Sequence, residues 1–172
     1  MATTMNGLVR GALLGAARNI IRRGSIHDLT IAGMAAEANY ARPTAYRYFS
    51  HPRDVVYEIA ETTMTKLFKS LDFESEDFAA DYARAAVREF TSDPLVNRQV
   101  LLYAGVQSTE DAWLPGAIHP ESVLAKQGFD SDSFMVALTY FRGAMYSWAA
   151  GFFTDEQFAA ETERALSMRA AE

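Results

Sequence analysis

Residues 29–49 read Leu29-Thr30-Ile31-Ala32-Gly33-Met34-Ala35-Ala36-Glu37-Ala38-Asn39-Tyr40-Ala41-Arg42-Pro43-Thr44-Ala45-Tyr46-Arg47-Tyr48-Phe49, and their order predicts two short helices joined by a tight turn. Thr30 stands where a helix N-cap hydroxyl accepts from an exposed amide. Ile31, Met34, Ala35 and Ala38 then recur at three- and four-residue spacing along one face. Asn39 follows, the residue that after glycine best adopts the left-handed turn conformation. Pro43 suits the first turn of a helix, where its missing N–H would have no intrahelical partner. The second helix of the pair is expected over 42–48.

The pattern continues on both sides. Upstream, Leu13/Leu14, Ala16/Ala17 and Ile20/Ile21 mark a one-sided helix, with Gly24 expected to close it in the left-handed conformation. Downstream, Pro52 opens a helix to about Ser70 that turns Val55, Val56, Ile59, Met64 and Leu67 inward. A fifth helix starts at Ser75 or Glu76 and ends near Thr91, and Asp93-Pro94 caps a sixth through about Val106. A loop over 107–119 leads to a short helix over 120–127, stopped by Gly128. A long apolar helix over 131–150 ends at Gly151, and a last one starts at Thr154, which forms a capping box with Gln157. No segment alternates as a strand does, so the chain is expected to be all-α, without internal repeats.

Composition narrows the function. Apolar residues make up 49% and charged residues 22% of the 172 residues, the balance of a globular chain. The absence of cysteine excludes a disulfide framework, a thiolate zinc site and a catalytic thiol, and fits a reducing, cytoplasmic setting. The net charge of -6 argues against a polyanionic partner until its distribution is read. Residues 1–60 hold seven arginines against four acids, a net +3, whereas residues 61–172 hold nine basic against eighteen acidic residues, a net -9. A basic head on an acidic body directs the head toward a polyanion. The apolar run over 134–153 carries Thr139, Arg142 and Ser147 and reads as a buried or subunit-interface helix, so no membrane partner is expected. Catalysis finds no constellation: His27, His51 and His119 are far apart, no phosphate-cradling glycine loop occurs, and the carboxylates over 72–81 read as a solvated face. The expectation is a chain that is not an enzyme and takes no metal or cofactor.

Two short helices buttressed by one before and one after match what a DNA major groove admits. The quoted stretch closely resembles the helix-turn-helix of the TetR family of transcriptional regulators. The resemblance is carried by the Tyr46-Arg47-Tyr48-Phe49 run, the small-residue helix before the turn, and the preceding Leu13-Leu14-x-Ala16-Ala17-x-x-Ile20-Ile21-x-x-x-Gly24 spacing. It covers residues 10–60; the body is similar in layout, with Gly143 and Trp148 in an apolar helix, then Gly151 and a final amphipathic helix. It implies an N-terminal three-helix DNA-binding domain over 1–51, joined by the fourth helix to a helical ligand-binding and dimerisation domain over 52–172. The implied function is that of a repressor that binds double-stranded palindromic operator DNA as a homodimer and is released by a small effector. Three positions depart from the family pattern. Asn39 replaces a glycine, Ala41 replaces a capping Ser or Thr worth about 1 kcal/mol, and Pro52 replaces a phosphate-contacting lysine. The departures at 41 and 52 keep open a helical ligand-binding or protein-interaction module that has lost DNA binding.

The DNA-facing set expected from this reading is Thr30, Arg42, Pro43, Thr44, Tyr46, Arg47, Tyr48, His51 and Arg53. Arg42 has the fork that reads guanine, Thr44 and Tyr48 touch bases or phosphates, and His51 and Arg53 stand in for the missing lysine. Phe49 is expected in the core. In the body, Tyr82, Tyr103, Tyr140 and Trp148 each carry a polar tip on an apolar ring and are the candidates for lining an amphipathic effector pocket. The last two helices carry more apolar surface than one small body covers. Met135, Leu138, Arg142, Met145 and Tyr146, with Phe158 and Leu166, are expected to form a two-fold interface, with Arg142 meeting Glu161 or Glu163 of the partner subunit.

Overall fold

A computed structural model describes residues 5–75, 78–107 and 131–168. These are helical throughout, with no strand among the described residues: α1 (Met5–Arg23), a 3₁₀ turn (Ile26–Asp28), α2 (Ile31–Glu37), α3 (Arg42–Tyr46), α4 (Pro52–Lys69), α5 (Phe78–Thr91), α6 (Pro94–Gln107), α7 (Ser131–Ala149) and α8 (Asp155–Ser167). The expected short helix over 120–127, the loop before it and the exact start of α5 lie outside the described residues.

The caps explain why the elements begin and end where they do. Thr30 Oγ1 accepts from the Gly33 amide at 2.9 Å, and a Cβ on Gly33 would fall 2.8 Å from that same oxygen. Asn39 has φ of +57° and turns the chain between α2 and α3. Thr154 and Gln157 exchange side-chain-to-backbone bonds at 3.2 and 2.8 Å at the start of α8, and Gly151 ends α7 at φ of +84°. Ahead of α4, the His51 amide donates to Asp54 Oδ2 at 2.9 Å, and Pro52 follows in the first turn.

Two expectations need correcting. Gly24 is not in the left-handed region; its amide donates to the Ile20 and Ile21 carbonyls, and a side chain there would meet Asp28 Oδ2 at 2.8 Å. A side chain at Gly24 would crowd the Asp28 carboxylate, which folds back to accept from the Ser25 amide. The helix expected over 42–48 ends at Tyr46, since the Ala45 carbonyl takes both the Tyr48 and Phe49 amides and tightens the last turn.

The turn conformation gives a test. Asn39→Val is expected to lower stability by about 1–2 kcal/mol, because a β-branched side chain resists positive φ, while Asn39→Gly should match or slightly exceed the wild type. Urea unfolding of the three proteins checks this, and equal midpoints would show that the turn tolerates any side chain.

Two apolar clusters form the interior. The first joins Leu13, Ala17 and Ile21 of α1, Met34 and Ala35 of α2, Ala45 and Phe49, and Val55, Val56 and Ile59 of α4 with Val96 and Val100 of α6. The second joins Met64 and Leu67 of α4, Ala86 and Phe90 of α5, Leu101, Trp148 and Phe158. The core under the first helices therefore runs past the expected boundary at 51/52 and draws on a helix forty residues downstream. Polar contacts follow the same line: Gln99 accepts from the Ile26 amide at 2.8 Å and donates to the Ile21 carbonyl at 3.1 Å, and Arg22 pairs with Asp93 at 2.7 Å. Its neighbour Arg98 points into the other cluster, lying 4.8 Å from the Trp148 ring and 3.0 Å from Asp155.

Candidate nucleic-acid interface

One short helix with one buried face must show the other to solvent. In α3 and the turn after it, Ala45 and Phe49 are buried, leaving Arg42, Pro43, Tyr46 and Arg47 exposed, with Thr44 half-buried. Tyr46 keeps 53% of its surface exposed, a large aromatic held out of a core that lies directly beneath it. Tyr48 is half-buried; its ring packs on the first cluster and its hydroxyl donates to Asn6 Oδ1 at 3.1 Å. Thr30, His51 and Arg53 are also exposed.

The head's arginines divide into two groups. Arg10 forks the Glu58 carboxylate, Arg22 pairs with Asp93, and Arg23 forks Glu37 at 2.9 and 2.8 Å. That last fork holds the Glu37 carboxyl below the usual carboxylate range. Arg18 is pushed down from its ordinary value by burial, and Arg53 stands 3.9 Å from its neighbour Asp54. Arg42 and Arg47 make no ion pair among the described residues. Two exposed arginines without an intramolecular acid partner among the described residues thus flank Tyr46 in and after α3.

Beside this face, Asn6, Gly7 and Arg10 of α1 with Arg47 and Tyr48 line an open cleft of about 330 Å³. Sequence reasoning missed the contribution of α1, because Asn6 lies forty-two residues from Tyr48 and belongs to no motif.

Among the described residues the four aromatic candidates in the body do not line one pocket: Tyr82 and Trp148 share the second cluster, while Tyr103 and Tyr140 lie elsewhere. Tyr103 packs against the first cluster, its ring 6.4 Å from that of His27. Tyr82 meets Phe141 edge-on at 5.9 Å within the second cluster, where burial pushes its phenol up. Tyr140 donates its hydroxyl to Glu161. Trp148 is fully buried, stacked on Phe158 at 5.3 Å, and its Nε1 donates to Asp155 at 2.7 Å. The polar tip that made Trp148 a pocket candidate is thus satisfied inside the protein.

Of the expected interface residues, Arg142 and Tyr146 are exposed, Leu138, Met145 and Leu166 are half-buried, and the side chain of Met135 lies outside the described residues. Val136 of the same helix is 58% exposed. Phe158 is a correction, since it is wholly buried between Trp148, Phe90 and Phe141 and has no surface to offer a second copy. Glu161 takes the Tyr140 hydroxyl and lies 3.3 Å from Arg164, while Arg142 makes no ion pair among the described residues.

No helix among the described residues is long and apolar enough to cross a membrane. Searches against protein-family models and against curated proteins found no match to this chain.

Proposed function

We propose that this chain is a DNA-binding transcriptional regulator with a TetR-type helix-turn-helix, acting as a repressor on a palindromic operator. The observation that carries the reading is the sorting of charge in the head. The arginines away from α3 are paired with acids or partly buried, while Arg42 and Arg47 stand without ion pairs on either side of an exposed tyrosine.

In this mechanism α2 crosses the backbone and α3 enters the major groove. Arg42 and Arg47 supply forked donors to base edges or phosphates, and Thr30, Thr44, Tyr46, His51 and Arg53 contact the flanks. A homodimer formed through α7 and α8 sets two copies of α3 about 34–36 Å apart, one turn of duplex. Leu138, Arg142, Met145, Tyr146 and Leu166 are its contacts. A small aromatic or amphipathic effector in the body releases the DNA only to the extent that it prefers the other spacing of the two heads.

Selection of bound genomic fragments by the purified protein, followed by titration of the best fragment at several salt concentrations, tests the proposal. The expected result is a palindromic site and an affinity that falls steeply as salt rises. Absence of duplex binding at low salt would refute it and favour a helical module without a nucleic-acid role.

A further inference from the structure

The first turn of α1 stands beside the proposed reading face without belonging to it, yet it builds half of the cleft next to Arg47. We propose that this cleft seats one phosphodiester group of the DNA backbone, with the Asn6 carboxamide as a neutral donor and Arg47 as the counter-charge. The assignment rests on the reading of the chain as a DNA-binding protein.

The other bonds of these side chains show what they have left to give. The Tyr48 hydroxyl occupies Asn6 Oδ1, and the two Nδ2 hydrogens have no partner among the described residues. Arg10 commits Nε and one terminal nitrogen to Glu58 and lies over the Phe49 ring at 4.8 Å, so its charge is matched while its other terminal nitrogen remains uncommitted. Arg47 carries the one charge in the lining that no acid balances. The lining residues contain no carboxylate.

A set of N–H donors with a single unmatched positive charge suits a ligand with one negative charge and only acceptor oxygens. A phosphodiester is that ligand. A monoester dianion or a nucleotide triphosphate brings more charge than the cleft can match, and a cation finds no carboxylate there. Because Arg47 follows Tyr46 directly, the cleft adjoins the surface proposed to meet the groove, where the flanking contacts of a bound helix are phosphates.

The test is Asn6→Leu, a near-isosteric change at an exposed position, with a matching thermal melt as the folding control. Fluorescence anisotropy with the selected genomic fragment and with a random-sequence duplex should show both affinities reduced by the same factor, about five- to tenfold for a charge-assisted bond. The salt slope should not change, since the lost group is neutral, whereas Arg47→Gln should lower it by about one. Tyr48→Phe, which frees Asn6 Oδ1 and loosens the carboxamide, should give a smaller loss in the same direction. Wild-type affinity of Asn6→Leu for both duplexes, or a changed ratio between them, would overturn the assignment. Inorganic phosphate that perturbs the Asn6 side-chain resonances while Asn6→Leu binds duplex normally would assign the cleft to the free ion, also overturning it. A wild-type protein without duplex affinity would overturn this inference and the proposed function together.

Discussion

Trp148→Ala is expected to cost about 3–5 kcal/mol of stability, the range for truncating a large buried aromatic. Three losses add at this site. The indole is fully enclosed and stacked on Phe158 at 23° between ring planes, so its removal opens a void in the second cluster that the helices cannot close. Asp155 loses the Nε1 donor at 2.7 Å that orients it at the start of α8. Arg98, whose Nε is buried without a hydrogen-bond partner among the described residues, loses the ring face against which its guanidinium lies. For a chain of this length each kcal/mol moves the melting temperature by about 2–4 °C, so calorimetry should record a fall of roughly 6–20 °C. Trp148→Phe, which keeps a stacked ring but not the N–H, should fall between wild type and alanine. A shift of Trp148→Ala within about 2 °C of wild type would remove the Trp148–Phe158 stack as the centre of the body.

The second large effect concerns binding. Arg42→Ala and Arg47→Ala should each weaken binding to the selected fragment by about 1–3 kcal/mol, and the double variant by more than either alone. Neither should lower thermal stability measurably, because both side chains are exposed and unpaired among the described residues. The control is Arg23→Ala, which removes the same formal charge from the head but one already matched by Glu37. Titration of the wild type and the four variants at one salt concentration decides the matter. Equal losses for Arg23→Ala and Arg42→Ala would mean that only net charge counts, and the special place given to α3 would fall.

Much of the local structure was legible in the residues, because caps and turns are decided over four or five positions. Thr30, Asn39, Pro43, Gly151 and the Thr154–Gln157 box are each determined by near neighbours, and all sit where their chemistry puts them. Gly24 was misread for a related reason: a helix-ending glycine suggests positive φ, but the constraint came from Asp28 folding back onto the chain. The aromatic helix α7 shows a deeper limit. Periodicity marks Trp148 and Phe158 as facing something apolar, but it does not distinguish the chain's own core from a pocket or a second copy. The structure turns both residues inward. The division of the head's arginines into matched and unmatched was likewise invisible, since Glu58, Glu37 and Asp93 approach their partners across 48, 14 and 71 positions of sequence.

The two faces of α6 bear on how freely the head can be treated as an exchangeable part. Val96 and Val100 close the floor beneath α1 and α4, and Gln99 satisfies the buried end of the 3₁₀ turn, while the adjacent Arg98 braces the α7–α8 junction. A fragment cut after α4 would take Val96 and Val100 out of the first cluster and leave the Ile26 amide without its acceptor. Grafting the first sixty residues onto a foreign body therefore transplants an unfinished interior, and a chimera needs the first two turns of α6 as well. In native-state hydrogen exchange, the same continuity would make the slowest amides of α1 open together with those of α6 as one cooperative unit.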